Sequence, residues 1–172
     1  INPHANLVDL THGIPPHDIL AGAFILNTTW KNFPSGTIHI AVVDPGVGTS
    51  RKAILVEKEN HIFLAPDNGI LTFILPSESH SEPSFTSTEN THSKYKAYEL
   101  TNTKYWNNSV SSTFHGRDIF APVAAHISRG VPLSDFGNPT PTQTITRLTI
   151  PPVTLDNDLV FGHVLHIDTF GN

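Results

Sequence analysis

Residues 38–51 read IHIAVVDPGVGTSR, and they indicate both the fold class and a candidate site. Residues 38–43 place apolar side chains on both faces, which is typical of a strand covered on both sides in an α/β protein. Asp44 follows directly, at the strand end where open α/β sheets bind ligands. Gly46 and Gly48 allow the backbone to approach a ligand closely. The stretch therefore predicts an α/β domain with a candidate site at Asp44.

Regular patterns on either side support this fold class. Apolar residues recur at helical spacing over residues 18–30 and again over residues 117–129, which predicts two helices. Pro122 is compatible with the second helix only near its first turn. Residues 53–58 and 61–65 predict a pair of strands joined by a tight turn. Together these elements predict an α/β domain with a central, largely parallel sheet.

The remaining segments are less regular. Residues 6–10 and 97–100 predict short strands, and the polar residues 77–93, which lack periodicity, predict a long surface loop or disordered insertion. Residues 132–152 are rich in Pro and Thr and are interpreted as a linker. Residues 160–168 predict a strand that opens a second, β-type domain.

Composition limits the function classes. The 172 residues carry a net charge of -5, which argues against a nucleic-acid partner. The chain has no Cys, which excludes disulfides and thiolate chemistry. It has no apolar run long enough to span a membrane and no recognisable signal peptide, so a cytoplasmic location is expected. It also has no Met, and both ends are abrupt, so we interpret it as a fragment trimmed at both ends.

Three side chains in two segments form the candidate catalytic set. Asp44 and Arg51 lie at opposite ends of the DPGVGTSR turn, and His115 precedes the second predicted helix in FHGRDIF. A carboxylate, a guanidinium and an imidazole that converge can orient and polarise a water. The alternatives are a turn Asp that bonds its own backbone, a solvated Arg, and a helix cap or ion pair formed by Arg117 and Asp118.

Two further segments contain candidate binding residues. Asp67 and Asn68 follow a predicted strand, where they either line the same cleft or form only a turn. The segment DTFGN begins at Asp168, and it either holds a small ligand or is another turn. The eleven histidines lack the spacing of a zinc site, so no metal site is predicted.

Five motifs in a fixed order resemble one enzyme family. They are DLTHGIPPHDI at 9–19, VVDPGVGTSR at 42–51, APDNGILT at 65–72, HGRDIFAPVAAH at 115–126 and IDTFGN at 167–172. The chain resembles the S-adenosyl-L-methionine (SAM) hydroxide adenosyltransferases, which are SAM hydrolases related to the fluorinating and chlorinating SAM enzymes.

The resemblance implies attack of an activated water on the ribose C5′ of SAM, which gives adenosine and L-methionine without a cofactor. It implies catalytic roles for Asp44, Arg51 and His115. It also implies substrate contacts from Asp44 and from the two binding segments, which contribute Asp67, Asn68, Asp168, Phe170 and Asn172.

The resemblance also implies an architecture. We expect an α/β catalytic domain over residues 1–145, with its first strand missing and a polar insertion at about 77–96. A linker at 146–159 and the start of a truncated C-terminal β-barrel domain at 160–172 follow. The family forms a homotrimer with active sites between subunits, and SAM is the expected small-molecule partner.

Two rival functions stay open from the sequence. A SAM-dependent halogenase is disfavoured by Asp44 and His115, because the halogenating relatives carry other residues at these positions. A non-catalytic SAM- or adenosine-binding module of the same fold would bind without turnover. The residue that acts as general base, His115 or Asp44, is also left open.

Overall fold

The chain forms a five-stranded sheet with one helix on each face, and it is described by a computed structural model over residues 1–76, 95–168 and 170–171. The helices are α1 (Ile19–Thr29) and α2 (Ala121–Ile127). The sheet contains β1 (Ile38–Ile40), β2 (Ala53–Lys58), β3 (His61–Pro66), β4 (Tyr95–Leu100) and β5 (Gly137–Pro139), in the spatial order β1-β3-β2-β4-β5. A separate hairpin consists of β6 (Thr154–Asp156) and β7 (Leu159–Phe161).

Strands β2 and β3 carry the core because they are covered on both faces. Ile54 and Val56 face the α1 side, where they join Trp30, and Leu55 faces the α2 side, where it joins Phe120. This alternation follows from the two-residue side-chain period of a strand. The α/β fold class expected from the sequence is confirmed, with the sheet between two helical layers.

The direction of the strands differs from the expectation of a largely parallel sheet. Only β1 and β3 pair in parallel among the described strands, whereas β2–β3, β2–β4 and β4–β5 are antiparallel. The reason lies in the turn at Glu59 and Asn60, which have φ values of 49° and 60°. Two successive residues with positive φ make the tight turn of an antiparallel hairpin, so β3 reverses onto β2. The sheet is therefore mixed.

The two predicted helices are present with changed ends. Asp18 caps α1 by accepting a hydrogen bond from the Ala21 N–H at 2.9 Å. The second helix begins as a π-helical turn over Gly116–Phe120 and continues as α2, with Pro122 in the first turn of α2. That π-turn, absent from the sequence-based prediction, lies directly after His115.

Several short predictions require correction. Residues 6–10 belong to no sheet of the described residues, and Leu7 there is 88% exposed because it has no core face to pack against. Strand β1 ends at Ile40 rather than at residue 43, and β4 begins at Tyr95, inside the expected polar insertion. Residues 77–94, which hold the rest of that insertion, lie outside the described residues.

The C-terminal third is also more structured than a linker. Strand β5 and the buried side chains of Phe136 and Ile145 lie within residues 132–152. The strand expected at 160–168 is limited to β7, because it pairs only with the short β6 across a turn at Asn157. The division into domains stays a prediction. Within the described ranges, no helix combines the length and apolar character that a membrane crossing requires.

Candidate active site

The turn after β1 is held by its own backbone. The Val47 N–H donates to the Asp44 carbonyl at 3.2 Å, and the Thr49 N–H and hydroxyl both donate to the Gly46 carbonyl, at 3.1 and 2.7 Å. Gly48 has a φ of 80°, which favours glycine, and a Cβ there would lie 2.4 Å from the carbonyl oxygen of Ser112. The turn is therefore closed locally and packed tightly against a second loop.

Arg51 closes this turn by a forked contact with Asp44. Its Nε lies 3.0 and 2.9 Å from the two carboxylate oxygens of Asp44, and its Nη2 also donates to Oδ2. The side chains are only 9% and 4% exposed, so the pair is shielded from water. The guanidinium carbon also lies 5.7 Å from the ring centroid of Phe120, within cation–π range. Planar contacts of this kind fix orientation as well as charge.

His115 completes the cluster from the other segment. Its Nδ1 lies 2.6 Å from Nη2 of Arg51. Arginine only donates hydrogen bonds, so Nδ1 accepts, and the proton of the neutral ring is on Nε2. Burial and the Arg51 charge lower the pKa of His115, against smaller opposing effects of Asp44 and Asp118. The imidazole is therefore held neutral and oriented by the same guanidinium that grips Asp44.

The predicted convergence of the three residues is thus observed, and their catalytic roles stay a prediction. The cluster offers a carboxylate acceptor, a fixed cation and, at Nε2 of His115, one ring donor. A water between an acceptor and a donor of this kind is oriented with one lone pair free for attack. The Arg117–Asp118 ion pair, considered as an alternative, also exists, with Nε and Oδ1 2.7 Å apart.

A cleft of about 620 Å³ opens beside Asp44. Its walls come from the segment that precedes α1, from the end of β1 and from Gly116, which follows His115. His12 and His17 line it and were not predicted as site residues, although both belong to the DLTHGIPPHDI motif. His17 has a φ of 71°, an uncommon conformation for a bulky residue. The motif itself was the signal that could have identified them.

The predicted binding residues Asp67 and Asn68 have structural partners. Asn68 donates through Nδ2 to the Val43 carbonyl at 2.8 Å, and its Oδ1 accepts from the Ile70 N–H at 3.2 Å. Asp67 accepts from the backbone N–H of Thr146 at 2.7 Å. Asn68 therefore supports the residue just before Asp44, as part of a turn. Direct substrate contact by either residue stays a prediction.

Two of the three C-terminal candidates, Asp168 and Phe170, belong to the described residues. Asp168 accepts from the Phe170 N–H at 2.9 Å, and Phe170 is 90% exposed. Neither residue lines the cleft beside Asp44. Asn172 lies outside the described residues. The segment approaches the domain through His166, whose ring stacks on Phe24 with centroids 5.1 Å apart. The turn interpretation accounts for this geometry, and ligand binding here stays a prediction.

No group of three or more His, Asp or Glu side chains is arranged to hold a metal ion in the part of the chain that the structure describes. His39 and His61 form a buried pair on the α1 side, with Nε2 and Nδ1 3.1 Å apart. His39 stacks on Phe63 and His61 packs edge-on against Trp30, both rings of the α1-side core, so the pair has a structural role.

Comparison with known proteins identifies the family. The SAM hydroxide adenosyltransferase N-terminal domain matches residues 1–137. The (R)-S-adenosyl-L-methionine hydrolase of Salinispora arenicola is 39% identical over 170 residues, covering 99% of this chain and 60% of that protein. A fluorinase of Actinoplanes sp. is 26% identical over 197 residues, with 100% of this chain and 61% of that protein covered.

A solved structure is also similar. A conserved protein from Thermotoga maritima superimposes with a TM-score of 0.81 at 35% identity, covering 98% of this chain and 59% of that one. The chain therefore belongs to the SAM hydroxide adenosyltransferase family, through its N-terminal domain. It spans about 60% of the length of the curated hydrolases it matches.

Proposed function

We propose that the complete protein is a SAM hydrolase that forms adenosine and L-methionine. The observation that carries this proposal is the double contact of Arg51, which grips the Asp44 carboxylate and the His115 imidazole at the edge of a cleft. Family membership supports SAM as the substrate, because similar proteins are named (R)-S-adenosyl-L-methionine hydrolases.

In the proposed reaction, the water oxygen forms a bond to C5′ while the C5′–S bond breaks. The bonding electron pair goes to sulfur, which changes from a sulfonium to the neutral thioether of methionine. The leaving group therefore needs no proton, and catalysis reduces to placing and activating the water. The water's proton leaves as the new C5′–O bond forms, so the products are adenosine, L-methionine and a proton.

Asp44 is the proposed acceptor for the water. Each carboxylate oxygen has two lone pairs. Oδ2 accepts from both Nε and Nη2 of Arg51, whereas Oδ1 accepts only from Nε and keeps a lone pair for the water. Nδ1 of His115 is occupied by Arg51, so we assign His115 to donate from Nε2 and orient the water. Arg51 fixes both partners and offsets the negative charge that develops on the water oxygen. No step in this scheme uses a cofactor.

The same geometry disfavours halogenation. A halide at the water position would lie beside the Asp44 carboxylate, which is 4% exposed and poorly screened. Arg51 does not offset this repulsion fully, because it is already paired with that carboxylate. A like-charge contact in a shielded site is unfavourable, whereas a neutral water both accepts and donates there.

The remaining parts of the proposal concern the complete protein. Asp67, Asn68, Asp168, Phe170 and Asn172 are proposed to contact substrate, with Asp168, Phe170 and Asn172 doing so once a C-terminal domain and a neighbouring subunit complete the site. A homotrimer with sites between subunits, a boundary between domains near residues 146–159 and a cytoplasmic location belong to the same proposal.

The test is to incubate the complete gene product with SAM, with and without chloride, and to separate the products by chromatography. We expect adenosine and methionine under both conditions, and loss of both products in His115→Ala and Asp44→Asn. Asp135→Asn removes an exposed carboxylate elsewhere and is the matched control. A 5′-chloro product would identify a halogenase, and SAM binding without any product would identify a non-catalytic module.

A further inference from the structure

Asp118 is a buried carboxylate for which the proposed reaction has no direct use. It is 1% exposed, yet it lies in the π-turn that directly follows His115. Its partner Arg117 is 63% exposed in its side chain, so the ion pair itself reaches solvent. A charged group buried to this extent requires hydrogen-bond partners, and the identity of those partners indicates its purpose.

Two of the partners belong to the loop formed by residues 107–113. The backbone N–H of Ser111 donates to Oδ2 of Asp118 at 2.9 Å, and Nδ2 of Asn107 donates to Oδ1 at 3.1 Å. The Asn107 N–H also donates to the Asp118 carbonyl at 2.8 Å. Asp118 therefore fastens this loop to the turn that carries His115. The hydrogen bonds from Arg117, and after them those from Ser111 and Asn107, hold the pKa of Asp118 well below its ordinary range.

The same loop also contacts the turn between Asp44 and Arg51, which is the second of the two segments that form the candidate site. The Ser112 carbonyl lies against Gly48, leaving no room for a Cβ, and Gly48 belongs to the turn between Asp44 and Arg51. Asp118 thus has a continuous connection to both halves: along the chain to His115, and through Ser111 and Ser112 to the Gly48 turn. The contact between Arg51 and His115 bridges those halves, and its length depends on how they are packed.

We propose that Asp118 is a positioning residue. It clamps the loop of residues 107–113 against the π-turn and so keeps the His115 ring within hydrogen-bond distance of Arg51 and close to Asp44. This inference rests on the proposed hydrolase function. Displacement of a reacting group by about 1 Å lowers a rate roughly 10²-fold, so a loosened clamp acts on turnover more than on substrate affinity.

The test compares Asp118→Asn with Arg117→Ala in the complete gene product. Asp118→Asn keeps the size of the side chain. It replaces one carboxylate oxygen with an amide NH₂ group, which cannot accept a hydrogen bond from the Ser111 N–H or from Nδ2 of Asn107. We expect kcat to fall about 10- to 100-fold, with KM for SAM within about threefold of wild type. Arg117→Ala leaves both loop bonds of Asp118 in place, so its kcat stays within about threefold of wild type.

A second readout reports the coupling between Asp118 and His115 directly. The charged groups that act on His115 are Arg51, Asp44 and Asp118, and only the two carboxylates raise its pKa. NMR titration of His115 in Asp118→Asn is therefore expected to give a lower pKa than in wild type, in a protein that is still folded. This readout does not require turnover, so it tests the clamp even if wild-type protein releases no adenosine.

The proposal is overturned if Asp118→Asn is folded and keeps the wild-type kcat and His115 titration. It is also overturned if Arg117→Ala lowers kcat as much as Asp118→Asn, because the ion pair would then be the essential element. If Asp118→Asn does not fold, Asn107→Ala replaces it, since this variant removes the side-chain bonds of Asn107 to Oδ1 of Asp118 and to the Arg117 carbonyl and leaves the buried carboxylate paired with Arg117. Wild-type kcat in Asn107→Ala would then contradict the clamp.

Discussion

Arg51 donates through Nη2 to Nδ1 of His115 at 2.6 Å, although the two residues are 64 positions apart in the chain. The same nitrogen donates to Asp44, so one guanidinium sets the position of a carboxylate and an imidazole together. The imidazole therefore accepts at Nδ1 and carries its proton on Nε2. This arrangement makes Arg51 the organiser of the candidate site rather than an isolated surface cation.

Replacement of Arg51 by Lys should abolish this organisation while keeping the charge. A lysine ammonium is a point donor without the planar fork, so it cannot hold Asp44 and His115 in one geometry. We expect kcat/KM for SAM hydrolysis to fall about 100-fold or more, a loss typical of removing a preorganised group. Steady-state kinetics on the complete gene product measure this loss.

The adjacent residue gives the matched control. Lys52 pairs with Glu99 at 2.9 Å on the surface, and its side chain is 49% exposed. Lys52→Met should leave kcat/KM close to wild type, since exposed ion pairs contribute little. Similar activity in Arg51→Lys and Lys52→Met would refute the organising role of Arg51.

The pH dependence of activity should reflect the lowered pKa of His115. Burial and the Arg51 charge favour the neutral ring, which is the form that accepts from Arg51. As the pH falls through the lowered pKa, Nδ1 becomes protonated and can no longer accept, so activity is lost. A profile of kcat/KM against pH should therefore have an acid limb with its midpoint below the ordinary value of about 6.5. A midpoint at or above that value would contradict this account.

Replacement of Gly48 by Ala should lower both stability and activity by more than the strain of a positive φ alone would cause. Gly48 and Gly36 both have positive φ, 80° and 87°, but a Cβ at Gly36 meets nothing within 4 Å, whereas one at Gly48 meets the Ser112 carbonyl. Gly36→Ala should therefore lose only about 1 kcal/mol of stability and keep its activity. Gly48→Ala should lose more stability and at least about tenfold in kcat/KM. Denaturant titration and kinetics distinguish the two, and equal losses would exclude the close contact.

Acid should weaken the fold through the buried His39–His61 pair. Burial, and then the charge of His61, lower the pKa of His39 to about 4. Between that value and about 6.5 the unfolded chain binds more protons at this residue than the folded chain, so stability falls as the pH falls. The contribution of His39 should decrease by about 2 kcal/mol between about pH 7 and pH 5.

Urea titrations of wild type and His39→Gln at the two pH values measure this contribution. Glutamine keeps a hydrogen-bonding amide at the position but does not titrate. The variant should therefore show a smaller loss of stability on acidification than the wild type. An equal loss in both proteins would assign the acid sensitivity to other groups.

Much of the fold could be predicted because it is local. Helical spacing identified α1, and two apolar runs identified β2 and β3. The sheet is mixed rather than largely parallel, because the tight turn predicted between β2 and β3 makes them antiparallel and because no apolar pattern encodes the directions of β4 and β5. The π-turn after His115 was missed for the same reason, since one extra residue in a helical turn leaves no periodic signature.

The sequence predicted the three main residues of the candidate site but not the buried side chain of Asp118 that supports them. Asp44, Arg51 and His115 could be selected because each lies at a strand end, a turn end or a helix start. The burial of Asp118 could not be predicted, because it arises from a loop that folds back over the π-turn. Asp168 and Phe170 are exposed in the described chain, and their contact with substrate stays a prediction.

The proposed attack of water on C5′ of SAM can be tested by following the water oxygen. The complete gene product is incubated with SAM in water enriched in ¹⁸O, and the adenosine released is analysed by mass spectrometry. We expect one ¹⁸O atom in the 5′-hydroxyl of adenosine and none in methionine. Adenosine without the label, or no adenosine from a folded protein that binds SAM, would contradict it.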